Sequence, residues 1–465
     1  MSGDYDGRPV VVAGAGVSGT AAARVLRDLG AKVTVVDSSA QRGESLREQG
    51  FCVVEADVPP EGTTQVVTSP GWRPDSPLLV AAGAAGIEVI GEVELAWRLR
   101  GRAGPGPAAP WLVVTGTNGK TTTVGMLESI LRAAGHRSVA AGNVGFPLLE
   151  AVLAAPAYDV LAVELSSFQL HWSSSVRPHT AAILNVAADH LDWHGSFQAY
   201  ATDKAKAWAG ETSIGNRDDE VVRTMLSRCT GRRVSFTLQA PARGEIGVVE
   251  DLLVDRAFSA PPDVPGEATE LASLADVTAP GAHNVANALA AAGLARSFGA
   301  EATQVQQGLR TFAAGGHRNA IVGTVDGVVW VDDSKATNPH AAAASLSAYP
   351  SVVWVAGGLL KGADVDDLVR VAAPRLRGVV LLGTDRAQIR DALARHAPEV
   401  PVQEVTRLDT GAMSEVVAHA RSLARPGDVV LLAPAAASMD CFRDYAQRGD
   451  LFAAAVHQLA VGELA

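Results

Sequence analysis

The sequence predicts an α/β chain of three domains, in which mostly parallel sheets are covered by helices. Short apolar runs that read as buried strands alternate with amphipathic stretches of helical period along almost all of the 465 residues. Strand after strand stops at glycine or at a polar cluster, as happens at the carboxyl edge of an open sheet. A chain of this length holds about three domains of ordinary size. The Gly/Pro/Ala-rich segment Gly101 to Pro110 reads as the first linker, and a new domain begins near Ala314. The expected spans are 1–105, 106–314 and 315–465.

Composition narrows the function. Apolar residues are 48% of the chain, no apolar run is long enough to span a bilayer, and the acidic start MSGDYDGRPVVVAG fits no secretory signal. A soluble cytoplasmic protein with no membrane partner is expected, as a monomer. The net charge of −11 without a long basic run argues against nucleic acid. Cys52, Cys229 and Cys441 stand far apart and cannot all pair, which fits a reducing compartment. An acidic protein that binds anionic substrates must gather its basic residues into pockets.

In the first domain, RPVVVAGAGVSG gives a strand followed by Gly14-x-Gly16-x-x-Gly19, and Asp37 ends the next strand, AKVTVVD. This is the nucleotide-binding fingerprint of a Rossmann-like unit, with an acid at the expected distance. The fingerprint alone does not choose the nucleotide: a dehydrogenase and a purely structural tight turn both remain open. Ser69-Pro70-Gly71 then forms a loop at the end of another strand, QVVT.

The second domain opens on WLVVTGTNGKTTT, where the strand at Trp111 stops at a glycine loop before a helix expected over Val124 to Ala134. Backbone N–H groups of Gly116, Thr117, Asn118, Gly119 and Lys120 are placed to cradle phosphate, with the helix dipole and the Lys120 ammonium adding positive charge. The hydroxyl of Thr121, with Thr122 next to it, is within reach of a magnesium ion. Val114 stands where the commoner phosphate loop has its first glycine, so this is the shorter G-x-x-G-K-T form. Strands expected at Ser138–Ala141, Val160–Leu165 and Thr180–Val186 end in Asn143, in Glu164 and Ser166-Ser167, and in Asn185 with Asp189-His190. Glu164, at the end of a strand near the loop, is the candidate magnesium ligand. His190 and His194 invite a zinc reading, but H-E-x-x-H is absent and no cysteine is near, so zinc is the weaker one. Asn284 and Asn287, three apart on one helix face, either bond a base or cap and decorate the helix.

The third domain, beginning with Gly316-His317-Arg318, has strand ends at Asp332-Asp-Ser-Lys-Ala-Thr-Asn338, Gly357-Gly-Leu-Leu-Lys361 and Ala433-Pro-Ala-Ala-Ala-Ser438. Three ends loaded with Asp, Lys, Thr and Ser point to a cleft for a small charged molecule.

Taken together, G-T-N-G-K-T-T, T-S-P-G, G-N-V-G, E-L-S-S-F-Q-L, D-D-S-K-A-T-N and P-A-x-A-S resemble the Mur ligase superfamily, ATP-dependent amide-forming ligases of three α/β domains. The resemblance runs in order along the whole chain and is closest to the branch that joins D-glutamate to UDP-N-acetylmuramoyl-L-alanine in peptidoglycan synthesis. It implies a Rossmann-like UDP-binding domain, a central P-loop ATPase-like domain and a C-terminal Rossmann-like domain, with ATP and two magnesium ions as cofactors. By that resemblance Val17, Ser18, Asp37, Ser38, Ser69, Pro70 and Gly71 surround the uridine and diphosphate. Lys120, Thr121, Glu164, His190 and Lys204 match phosphate and magnesium residues, with Lys204 matching a lysine that carries a carbamate. Asn143, Ser166 and Gln169 match central substrate contacts, and Asn284, Asn287, Arg318 and Asp333 match residues that hold ATP. Lys335, Thr337, Lys361, Ser438, Met439 and Tyr445 match the surroundings of the incoming amino acid.

Four positions depart from the family pattern. Ala320 stands where a glutamate usually follows His-Arg, and Ala436, Met439 and Cys441 change the last motif, with Met439 and Tyr445 expected to keep apolar bulk in the pocket. The chemistry expected is activation of a carboxylate by ATP and attack of an amine on the acyl phosphate. Rivals are another ligase of the superfamily, such as folylpolyglutamate synthase; a dehydrogenase built on Gly14 to Gly19, which leaves the phosphate loop unexplained; and a nucleotide-binding regulator, which leaves the third cleft unexplained.

Overall fold

Valine-rich runs form a five-stranded sheet: β1 (Pro9–Ala13), β2 (Lys32–Val36), β3 (Cys52–Val54), β4 (Gln65–Thr68) and β5 (Glu88–Gly91). Its order is β3-β2-β1-β4-β5 and every pairing is parallel. The central strands are nearly continuous apolar runs because helices cover both faces. Strand order reverses between β1 and β4, which opens a crevice at their carboxyl ends, where Gly14 and Ser69 lie. The structure is a computed structural model that describes residues 5–104, 106–259, 267–279, 281–313 and 315–462. The domain limits expected at Met1, Pro105, Ala314 and Ala465 lie outside the described residues.

A nine-stranded sheet follows: β6 (Trp111–Thr115), β7 (Ser138–Gly142), β8 (Val160–Glu164), β9 (Thr180–Ile183), β10 (Thr212–Asn216), β11 (Arg232–Phe236), β12 (Glu245–Val249), β13 (Leu252–Asp255) and β14 (Thr269–Ser273). The order is β14-β13-β12-β11-β10-β9-β6-β8-β7, parallel from β7 to β12 and antiparallel over the last two pairings. Every residue of β6 is buried, so the loop after it starts from a fixed point between β8 and β9.

Two boundaries differ from the sequence expectation by more than one residue. Strand β9 stops at Ile183 rather than Val186, because the Asn185 carbonyl turns away to accept the Thr117 N–H at 2.9 Å. The helix after the phosphate loop starts at Lys120 rather than Val124. Gly119 takes the left-handed conformation that ends the loop (φ 85°), and threonines are tolerated in a first turn whose N–H groups have no helical partner.

These two sheets belong to one compact unit, made of the chain up to Asp276 together with Ala286–Phe312. Its main core runs from Val10 through Trp111 to Trp208, with the Trp97 and Trp111 rings edge-on at 4.9 Å.

The second unit holds Val277–Val285 and the chain after Ala313. Its six strands are β15 (Ala320–Val325), β16 (Val328–Asp332), β17 (Val352–Gly357), β18 (Leu376–Leu382), β19 (Val402–Glu404) and β20 (Val429–Leu432). They run in the order β15-β16-β20-β17-β18-β19, with an antiparallel hairpin at β15/β16 and parallel pairing elsewhere. Apolar clusters cover both faces. Ala320, at the departure from the family pattern, is a ladder residue opposite Asp332. No helix among the described residues is long and apolar enough to cross a membrane.

Candidate active site

The glycine loop is tied to strand ends on both sides. Asn185 accepts the Asn118 N–H at 2.8 Å and donates back to the Asn118 carbonyl at 3.1 Å, so a single side chain clamps the loop from the end of β9. The Thr117 hydroxyl lies 2.8 Å from that of Tyr200. A Cβ on Gly119 would stand 2.4 Å from Asn287 Oδ1, so the helix carrying Asn287 packs directly on the loop and only glycine fits. Lys120 opens the helix and donates to the carbonyls of Gly116 and Thr117 at 2.9 and 2.8 Å.

Glu164, 1% exposed, ends β8 beside this loop. One carboxylate oxygen accepts the Thr121 hydroxyl at 2.7 Å and the other the Asn143 amide at 2.8 Å. A hydroxyl and a carboxylate meeting next to a phosphate-type loop are the hard oxygen donors that magnesium takes, so the residues present fit that ion. His190 starts a short turn in the left-handed conformation (φ 54°), with its ring 4.7 Å from that of Phe168 and Nε2 3.5 Å from Asp189.

Lys204 is 1% exposed and donates to the Gly116 carbonyl at 2.8 Å, with its ammonium 4.5 Å from the centre of the Tyr200 ring. Burial, reinforced by the nearby Lys120 charge, pulls its pKa well below the usual lysine value. Burial also raises the Tyr200 phenol, which stays a neutral donor.

Ser166 and Gln169 cap the helix Ser167–His171 reciprocally: the Ser166 hydroxyl accepts the Gln169 N–H at 3.2 Å, and Gln169 Oε1 accepts the Ser166 N–H at 2.9 Å. The zinc reading of His190 and His194 is not how these rings are used. His194 shares Asp203 with His171 instead, and the three ligand atoms lie within 4.8 Å of one another. The Lys206 ammonium sits 2.9 Å from the other Asp203 oxygen, so this carboxylate is already matched by cationic and N–H donors.

At the first sheet, Asp37 accepts the N–H groups of Ala15 and Ser39, each at 2.7 Å, and pairs with Arg42 at 3.2 Å. Burial works to raise its pKa, but these donors outweigh it and hold the carboxyl below its ordinary value. A Cβ on Gly19 would stand 1.8 Å from the Gly14 carbonyl oxygen, and one on Gly14 2.7 Å from Ser69 Oγ, so the fingerprint glycines and the Ser69 loop are in close contact. Ser69 Oγ is buried with no partner among the described residues, which suits a loop built to meet a ligand. Val17 and Ser18 open the adjoining helix, Val17 79% exposed and Ser18 bonded to the buried Glu92, while Ser38 and Gly71 are exposed beside Asp37 and Pro70.

In the second unit, Asp333 accepts the Asn319 N–H at 3.2 Å and the Ser345 hydroxyl, and burial raises its carboxyl to about 6. His317 and Asn319, on either side of Arg318, are both left-handed, and His317 Nδ1 lies 2.6 Å from Asp332. The Lys335 ammonium is 3.7 Å from the centre of the Tyr445 ring. Leu359 and Ala437 exchange backbone bonds of 2.8 and 2.9 Å, which brings the loop of Lys361 alongside that of Ser438; Thr337 folds its N–H onto the Lys335 carbonyl. Met439 is 62% exposed.

Sequence reasoning missed Asn185 and Tyr200 as loop clamps, Asp203 as a hub, and Arg448. Arg448 is 1% exposed, bonds Ser334 and the Ala436 carbonyl, and is pushed down to about 10 by burial. An arginine inside an amphipathic C-terminal helix looks like any solvated one. In Asn185 and Tyr200 the signal was polarity at a strand end and an aromatic four residues before a lysine.

Residues 114–295 match the Mur ligase middle domain, and residues 317–436 match the Mur ligase glutamate ligase domain. Residues 5–76 match the alanine dehydrogenase/PNT C-terminal domain, which answers to the fingerprint glycines. The UDP-N-acetylmuramoylalanine--D-glutamate ligase of Streptomyces coelicolor is 57% identical, covering 99% of this chain and 100% of its own. The enzyme of the same name from Thermobifida fusca is 60% identical over 98% of this chain and 99% of its own. The solved UDP-N-acetylmuramate-alanine ligase of Thermotoga maritima shares the fold, at a TM-score of 0.58 and 18% identity over 97% of this chain and 99% of that one. With both Mur ligase domains in order behind a parallel five-stranded sheet, and with full-length relatives at such identity, this chain belongs to the Mur ligase family.

Proposed function

We propose that the protein adds D-glutamate to UDP-N-acetylmuramoyl-L-alanine, driven by ATP and passing through an acyl phosphate. The observation that carries this reading is the convergence on one loop of Lys120, the Thr121–Glu164 oxygen pair and the buried Lys204. Its full-length relatives carry that activity in their names. The dehydrogenase alternative uses only the first sheet and gives this loop nothing to do.

In this reading Lys120 and the N–H groups of Gly116 to Thr122 hold the β- and γ-phosphates. Thr121 and Glu164 would hold a magnesium ion, which would supply neutralising charge for transfer of the γ-phosphoryl to the substrate carboxylate. His190 and a carbamylated Lys204 would hold a second ion. The neutral amine of Lys204 would add to CO₂ through its nitrogen with loss of one proton, which turns a neutral side chain into an anionic ligand. Asn143, Ser166 and Gln169 orient the carboxylate, and Val17, Ser18, Asp37, Ser38, Ser69, Pro70 and Gly71 bind the UDP end. Asn284, Asn287, Arg318 and Asp333 hold ATP; Lys335, Thr337, Lys361, Ser438, Met439 and Tyr445 receive the amino acid. The protein works as a cytoplasmic monomer with domains 1–105, 106–314 and 315–465.

The test is phosphate release from ATP with UDP-N-acetylmuramoyl-L-alanine and a panel of D- and L-amino acids. Release that requires both the nucleotide sugar and D-glutamate is the expected result. Equal release without an acceptor, or with folate in place of the nucleotide sugar, would remove the reading.

A further inference from the structure

We infer that Asp203 is a positioning residue for the proposed ligation, a single carboxylate that locks the Ser166–Gln169 substrate turn to the helix carrying Lys204. Asp203 is buried in the helix Phe197–Ala205, immediately before Lys204. Its Oδ2 receives His171 Nδ1 at 2.8 Å and His194 Nδ1 at 3.1 Å, and its Oδ1 receives Lys206 Nζ at 2.9 Å. Lys206 also donates to the His171 carbonyl at 2.7 Å, and His194 Nε2 lies 2.9 Å from Ser167 Oγ.

The two histidines therefore reach opposite ends of one short helix. His171 is the last residue of Ser167–His171, and His194 passes the connection to Ser167, its first. With Nδ1–H donated to Asp203, His194 Nε2 is left to accept the Ser167 hydroxyl. That helix is capped by Ser166 and Gln169, so the carboxylate fixes the turn that the proposed function gives to the substrate as well as the backbone beside Lys204.

Ser167, His194 and Asp203 are ordered like a nucleophilic triad, but Ser167 is 2% exposed and the carboxylate is shared with His171 and Lys206, so no carbonyl can reach the hydroxyl. The arrangement is a strut. Every member lies within the first compact unit and outside the loop that holds phosphate.

The inference rests on the proposed ligase reading, and its test keeps the two apart. Asp203→Asn keeps the shape but cannot accept from three donors at once. It is expected to lower kcat roughly 100-fold, the scale of a misplacement of about 1 Å at a reacting centre. KM for the nucleotide sugar should rise and KM for D-glutamate stay level. His194→Asn, which keeps a donor near the Nδ1 position, should retain much more activity than His194→Leu. The Asp203→Asn/His194→Leu double variant should be no worse than Asp203→Asn alone. In proton NMR, the downfield N–H signals of the two imidazoles should vanish together in Asp203→Asn.

Kinetic constants within twofold of wild type, with only the melting temperature lowered, would overturn the positioning role, as would multiplying effects in the double variant. Persistence of both downfield signals in Asp203→Asn would overturn it without any substrate. If wild type turns over a different acceptor, the substrate reading falls while the ratio of variant to wild type on that acceptor still decides the role of Asp203.

Discussion

The Thr121 hydroxyl and the Glu164 carboxylate meet at 2.7 Å, across a helix start and a strand end that lie far apart in sequence. Asn143 occupies the second carboxylate oxygen at 2.8 Å. Glu164→Gln keeps the size and one acceptor but loses the charge a divalent cation needs. The half-saturating magnesium concentration should rise at least about tenfold, the scale seen when a ligand to a bound metal is disturbed. Thr121→Ser, which retains the oxygen, should stay close to wild type. A magnesium dependence in Glu164→Gln equal to wild type would reject the assignment.

Lys204→Ala should abolish ligation and leave the fold intact, since it deletes a buried ammonium that burial already disfavours. A lysine whose folded pKa is depressed binds fewer protons than the unfolded chain. Relative to Lys204→Ala, the wild type should therefore gain stability as pH rises from the depressed value toward 10.5, and thermal melts at pH 7 and pH 9.5 read that gap. Lys206→Ala should lose activity partly, because Lys206 bonds Asp203 and the His171 carbonyl.

Glu92 is buried at a helix start, takes bonds from Leu149 N–H and the Ser18 hydroxyl, and is pushed up to about 7 by burial from an ordinary 4.5. The folded chain then holds a proton that the unfolded chain releases. Its stabilising contribution is present below pH 4.5 and lost as pH rises through 7, by at most about 3 kcal/mol. Glu92→Gln removes this dependence. Its melting temperature relative to wild type should be higher at pH 8 than at pH 5; parallel pH profiles would refute the buried acid.

Gly19→Ala puts a methyl 1.8 Å from a backbone oxygen, which no rotamer relieves. It should weaken binding of UDP-N-acetylmuramoyl-L-alanine and lower stability by roughly 1–3 kcal/mol, the usual cost of overpacking. Calorimetric titration with the nucleotide sugar checks it. Gly16→Ala, whose Cβ meets nothing, should cost far less.

Lys361 and Thr337 lie in the second unit, and Asp37 and Ser69 in the first. Substituting either of the former by alanine should raise KM for D-glutamate at least about fivefold, the loss of one charge-assisted bond. KM for the nucleotide sugar should stay level, and a parallel rise in both would count against the division of labour.

Strand ends were the legible part of this sequence. The run WLVVT, the fingerprint glycines and the polar clusters at Glu164, Asp332 and Gly357 lie at the edges expected of them, because a buried parallel strand needs an unbroken apolar run and a ligand edge needs the opposite. Less visible were bonds between distant segments. Nothing around Asp203 announces His171 and His194, and nothing around Asn185 announces Asn118, since sequence spacing carries no record of which loops a sheet order brings together. Ser166 and Gln169 show the converse: the capping box was readable from its spacing, yet they were assigned to substrate alone.

Lys120 and Lys204 both place their ammonium groups on the carbonyl oxygen of Gly116, at 2.9 and 2.8 Å. Two lysines that share one acceptor cannot be inherited independently. A drift at either position alters the field and the hydrogen bond felt by the other, so their substitutions should be strongly non-additive. Selection then acts on the pair through a peptide oxygen, an atom that no mutation of Gly116 can remove.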